Sequence, residues 1–166
     1  MAAVRLQCIQ EEYTESIRIQ LNGFLLWSEE ANRGWNDYVA AHWEKSQASE
    51  DRITLTRRAG AVYPGAIRPA HFAGRAAGRQ HLFGPFHLEV MRASISLSQR
   101  FEDLAMLHNV AEGVGCNVAD FATDIADPSL RELVWREFMT VVEREGMAAI
   151  PTMFRDKRVV EDALAL

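Results

Sequence analysis

Residue types suited to chemistry occur in two places in this sequence. The first is the pair His108 and Glu112, which stand four positions apart and therefore face the same side of a helix. An imidazole held beside a carboxylate and partly removed from water can act as a general base near neutral pH. The other interpretation is structural, because such pairs are common on helices: His108 hydrogen-bonds a neighbouring helix, and Glu112 reaches solvent or an arginine of the basic segment.

The second place is a basic segment, residues 52–100, inside an otherwise acidic chain. It contains eight arginines and one acidic residue, for a net charge of +7, whereas the rest carries ten basic and 22 acidic residues, for a net charge of −12. Arginine presents a planar fork of donors that matches phosphate or carboxylate oxygens in pairs. The candidate ligand-binding residues are Arg57, Arg58, Arg68, His71, Arg75, Arg79 and His81.

Two interpretations of the basic segment stay open. It could hold an anionic metabolite, with His108 and Glu112 near it, or it could lie across acidic helices of its own chain or of a neighbouring subunit. Under both, the arginines gain by approaching carboxylates or a bound anion. Nucleic acid is not an expected partner, because the whole chain has a net charge of −5, which opposes attraction to a phosphate backbone.

Motifs that would name a reaction or a cofactor are missing from the sequence. It contains neither GxGxxG nor GxxxxGK[ST], which build nucleotide-binding loops, and no HExxH. The Glu-x-x-His pairs of di-iron bundles and the GxSxG of serine hydrolases are missing too. Cys8 and Cys116 lie far apart and form no CxxC pattern. We therefore expect no metal and no cofactor.

Helical periodicity predicts the framework that positions these residues. The 166 residues are the size of one domain, and we expect a single all-α domain over 1–166, a helical bundle of about five or six helices. In several stretches the apolar residues recur at steps of three and four. The predicted helices cover residues 4–27, 28–45, 85–100, 99–126, 128–145 and 155–165.

Helix breakers and capping residues predict where these helices begin and end. The main interruption is a long basic connection at about 52–84, since seven Gly and Pro residues, among them Gly74 and Gly78, lie between 60 and 84. Pro85 suits the first position of a helix. Ser98 is expected to cap the helix at 99, and Asp127 the helix that begins at Pro128.

The lack of any specific catalytic motif favours a non-catalytic helical interaction or accessory subunit. The alternative is a small all-α enzyme or binding protein for an anionic metabolite, using the 57–81 loop with His108 and Glu112. Four tryptophans and 48% hydrophobic residues favour assembly into a homo-oligomer or with a partner protein. The apolar runs are shorter than the ~20 residues that span a bilayer. The apolar run among the first residues is also too short for a signal peptide. We therefore expect no membrane partner and a cytoplasmic location.

Overall fold

The computed structural model describes residues 8–9, 11–13, 37–48, 54–56, 68–143, 154–155 and 158–159. Six helices have both ends within these ranges: α1 Asp37–Ala48, α2 Arg68–Arg79, α3 Phe83–Ile95, α4 Leu104–Gly113, α5 Val118–Ala126 and α6 Pro128–Val142. Two short strands, β1 Phe154–Arg155 and β2 Arg158–Val159, pair antiparallel. The predicted all-α helical bundle is confirmed. No helix in the described ranges is both long and apolar enough to cross a membrane.

The central helix is α2, which contacts α3, α4, α5 and α6. Its inner face is built from small residues, and Ala73, Ala76 and Ala77 are fully buried. Because these side chains are short, the surrounding helices approach closely and insert larger groups around them. The largest fully buried side chains are Phe86 of α3, Leu107 of α4, Phe121 of α5 and Leu130 of α6.

The predicted connection over about 52–84 is wrong from residue 68 onward, because α2 runs without a break through Gly74 and Gly78. The glycines lie one turn apart and face the ring of Phe83. A Cβ at Gly74 would lie 3.2 Å from Phe83 Cε2. Close packing against α3 therefore offsets the lower helix propensity of glycine, and the alanines between the glycines favour the helix.

The predicted helix over 99–126 is in fact two helices, α4 and α5. At the end of α4 the backbone N–H of Gly115 donates to the carbonyl of Glu112, and that of Cys116 donates to Ala111. Gly115 has φ +90°, a conformation that costs little only for glycine. Asn117 then caps α5, since its side chain accepts from the backbone N–H groups of Ala119 and Asp120.

Predicted helix starts agree with the structure to different degrees. The Asp127 cap is confirmed, because its carboxylate accepts from the backbone N–H of Ser129 at 2.9 Å and α6 begins at Pro128. Pro85 lies at the third position of α3 rather than the first, still within the turn whose N–H groups lack helical partners. The Ser98 cap is wrong: Ser98 has φ +57°, and Asp103 caps α4 instead.

The predictions for the two ends of the chain are tested only in part. Cys8, Ile9, Glu11 and Glu12 are helical, and the rest of the predicted helix over 4–27 lies outside the described residues. The helix predicted at 28–45 overlaps α1, and residues 28–36 lie outside the description. The helix predicted over 155–165 is wrong at β1 and β2, where aromatic and β-branched residues favour strands.

Candidate functional site

Three of the candidate ligand-binding residues form a row along α2. His71, Arg75 and Arg79 stand four positions apart, so they lie on one side of the helix, and Arg68 is its first residue. His81 lies in the short turn between α2 and α3. Arg57 and Arg58 lie outside the described residues. The row on α2 is therefore the part of the basic segment whose surroundings can be described.

Arg79 lies where α2, α5 and α6 meet. Its Nη1 is 2.6 Å from Asp124 Oδ1 and 2.9 Å from Asp127 Oδ2, and Nη2 donates to Ser129 Oγ at 3.4 Å. The hydrogen bonds to the two carboxylates raise the pKa of Arg79. The pKa of Asp127 is lowered by hydrogen bonds from the Ser129 hydroxyl and backbone N–H, and then by Arg79. This guanidinium is occupied by carboxylates of its own chain.

Arg75, one turn earlier, forms an ion pair with a carboxylate of α6. Its Nη2 lies 2.6 Å from Glu137 Oε2 on α6. The guanidinium carbon also lies 5.1 Å from the centre of the Phe83 ring, within the range of a cation–π contact. Arg75 therefore connects α2 to α6 through Glu137 and to the start of α3 through Phe83.

His71 and His87 form a pair of partly buried imidazoles between α2 and α3. His87 stacks on Phe83, with 5.8 Å between ring centres and 7° between planes. The pKa of His71 falls to about 4, first because burial disfavours its charged form and then because His87 and Arg75 are close. Burial also lowers the pKa of His87. At neutral pH both rings are uncharged, so neither adds a cation that would attract an anion.

His81 takes part in the turn that ends α2. It has φ +62°, and its backbone N–H donates to Gly78, while that of Leu82 donates to Ala77. This is the hydrogen-bond pattern of a Schellman cap with histidine in the left-handed position. Gln80, also in this turn, connects it to the start of α5. Its side-chain Nε2 donates to the carbonyl of Asn117, and its Oε1 accepts from the backbone N–H of Asn117. The imidazole of His81 is exposed.

His108 and Glu112 do not contact each other through a hydrogen bond in this structure. The His108 ring packs edge-on against Phe121, with 5.3 Å between ring centres, and Glu112 is exposed. Within the described residues they share no hydrogen bond or ion pair. Cys116 nearby is buried, which raises the pKa of its thiol and disfavours the reactive thiolate. In the described parts of the chain, no group of three or more His, Cys, Asp or Glu side chains could hold a metal ion.

Sequence reasoning missed the features that define the surroundings of this row. Phe83 and Glu137 contact Arg75, and His87 stacks on Phe83. Part of this was signalled by spacing, since Phe83 and His87 lie one turn apart on α3. Trp135 lies on the outer face of α6 with 52% of its surface exposed. It lies against Phe138, with 5.3 Å between ring centres.

Comparison with protein-family models, curated proteins and solved structures found no match to this chain.

Proposed function

We propose that this protein is a non-catalytic helical accessory subunit, which assembles with itself or with a partner protein through the outer face of α6. The observation that carries the proposal is the position of Trp135. Tryptophan is highly buried on average, whereas Trp135 exposes half of its surface beside a second aromatic ring, that of Phe138. Tryptophan, phenylalanine and arginine are also the residues enriched at protein interfaces.

The arrangement of the α2 row favours this function over anion binding. Arg75 and Arg79 already contact Glu137, Asp124 and Asp127, so an incoming anion would have to displace three carboxylates. His71 is uncharged at neutral pH. His108 packs on Phe121 and is not joined to Glu112 by a hydrogen bond. These side chains therefore support the packing of the helices rather than a binding site for a metabolite.

The proposal is tested by photo-crosslinking in the native host. The amino acid p-benzoylphenylalanine is placed at position 135, and irradiation should give one discrete adduct, either a crosslinked dimer or a single heteromeric band. The matched control carries the same amino acid in place of Leu104, which is 53% exposed but lies at the start of α4. No adduct from position 135, or equal adducts from both positions, would refute the proposed function.

A further inference from the structure

The two faces of α6 differ in what they contact. Leu130 and Val134 are buried on its inner face, and Glu137 pairs with Arg75. Trp135 and the exposed charges Glu132 and Arg136 lie on its outer side. The inner face is thus used within the bundle, and the outer face combines one large aromatic group with one negative and one positive charge.

The charges of the outer face form no ion pair with any residue that the structure describes. Glu132 and Arg136 stand one turn apart, with the acid N-terminal to the base, which is the better order for an ion pair on a helix. In the part of the chain that the structure describes, neither forms an ion pair. Arg131, in contrast, lies 5.7 Å from the centre of the Phe72 ring. Because no described residue pairs with Glu132 or Arg136, a charge on another molecule can pair with each of them.

We propose that α6 packs antiparallel on α6 of a second copy of this chain, about a two-fold axis at the level of Val134. This inference rests on the proposed function and names its partner. In such a pair, Glu132 of each copy faces Arg136 of the other, so the interface contains two opposite-charge contacts. Residues related by a two-fold axis meet in this reciprocal way.

The same arrangement covers the exposed aromatic group. Trp135 lies one residue beyond the level of the axis in each copy, so the two indole rings are about 3 Å apart along the helix axes. They bury each other at the centre of the contact, where aromatic residues contribute most to association. In a second copy, an acid and a base placed symmetrically about one level of α6 meet their opposite charges. Binding to a different partner protein would not require that symmetry. The self-complementary charges therefore favour a second copy.

Charge reversal tests this register by sedimentation velocity. The wild type should be dimeric, and Trp135→Glu should be monomeric. Glu132→Arg and Arg136→Glu should each weaken self-association by about tenfold or more, because each places like charges opposite each other. Mixing the two single variants should give a heterodimer in which all facing charges are opposite, and the double reversal should restore the homodimer. Leu104→Glu serves as the control and should remain dimeric.

The outcomes separate this inference from the proposed function. If Trp135→Glu abolishes the dimer but mixing the single variants gives no heterodimer, the antiparallel register is wrong and assembly through α6 stands. If the purified wild type is monomeric while position 135 crosslinks to a different protein in the native host, a second copy is the wrong partner. If Trp135→Glu is dimeric like the wild type, α6 is not the interface. Circular dichroism of every variant should show unchanged helicity.

Discussion

At the scale of single residues, arginines join the basic segment to the acidic helices. Arg75 reaches Glu137 of α6, and Arg79 reaches Asp124 of α5 and Asp127 just before α6. Other arginines of the segment pair locally, as Arg92 does with Glu89. The contribution of an exposed ion pair is small, about 0–1 kcal/mol. Arg75 is the better buried of the two α2 arginines, with 17% of its side chain exposed.

The double variant Arg75→Ala, Arg79→Ala tests whether these contacts hold the helices together. We expect its Tm to fall by a few degrees, because α6 loses its polar contacts with α2 and three carboxylates lose their partner. Phosphate should leave the Tm of the wild type unchanged, since the guanidinium groups are occupied. Differential scanning fluorimetry measures both effects. Arg92→Ala, which removes a pair of exposed residues, is the control and should change little.

His81 offers a second test at this scale. It has φ +62° at the end of α2, where a side chain costs roughly 1–2 kcal/mol relative to the ordinary helical region. His81→Gly should therefore raise the free energy of unfolding by about 1 kcal/mol, measured by urea denaturation. Gly115 occupies the equivalent position at the end of α4 with φ +90°, so Gly115→Ala should lower stability by a similar amount. Changes of the opposite sign would contradict the role assigned to both turns.

Some of these residue-level features could be predicted from the sequence, and others depend on tertiary contacts. The cap at Asp127 was predictable because Asp before Pro-Ser is a local signal. Gly115 followed by Asn117 was also a local signal for the end of one helix and the start of another, but the continuous apolar periodicity concealed it. The partners of Arg75 and Arg79 lie more than 40 positions away, so spacing alone could not identify them.

At the scale of elements, the packing of α2 on α3 depends on two glycines with different surroundings. A Cβ at Gly78 would lie 3.6 Å from Phe83 Cβ, an ordinary contact, whereas one at Gly74 would lie 3.2 Å from the Phe83 ring. The glycine content predicts a loop because it reflects helix propensity alone. The helix forms because Phe83 fills the space that the glycines leave.

Substitutions at these glycines should therefore have opposite effects. Gly78→Ala should raise the free energy of unfolding by up to about 1 kcal/mol, because alanine has the higher helix propensity and fits the space. Gly74→Val should lower it by about 1–3 kcal/mol, because the extra methyl groups collide with the Phe83 ring. Urea denaturation of both variants provides the measurement. Equal destabilisation by both would show that α2 and α3 are not packed in this way.

At the scale of the whole molecule, burial and charge make the α2–α3 contact sensitive to acid. His71 faces Arg75 on its own helix and His87 on α3. Glu137 of α6 is engaged by Arg75 and so does not neutralise an imidazolium directly. Protonating His71 therefore adds a charge beside a fixed cation and a second imidazole. This arrangement was not predictable, because it requires the pairing of α2 with α3 that the predicted loop excluded.

The pH dependence of stability follows from the sign of these shifts. The pKa of His71 is about 4 in the folded protein, against 6.5 for an ordinary histidine, so below pH 6.5 the unfolded chain binds the proton more readily. Stability is therefore full above pH 6.5 and falls until about pH 4, by about 3 kcal/mol for His71 alone, and His87 changes it in the same direction. The pKa of Asp127 is lowered from 3.8, so the stabilisation that it provides is lost only at more acidic pH. Urea midpoints at pH 7.0, 5.5 and 4.5 should decline steadily in the wild type, and His71→Gln should flatten that decline. Equal midpoints at the three pH values, or an unchanged decline in the variant, would show that His71 is not buried against Arg75 and His87.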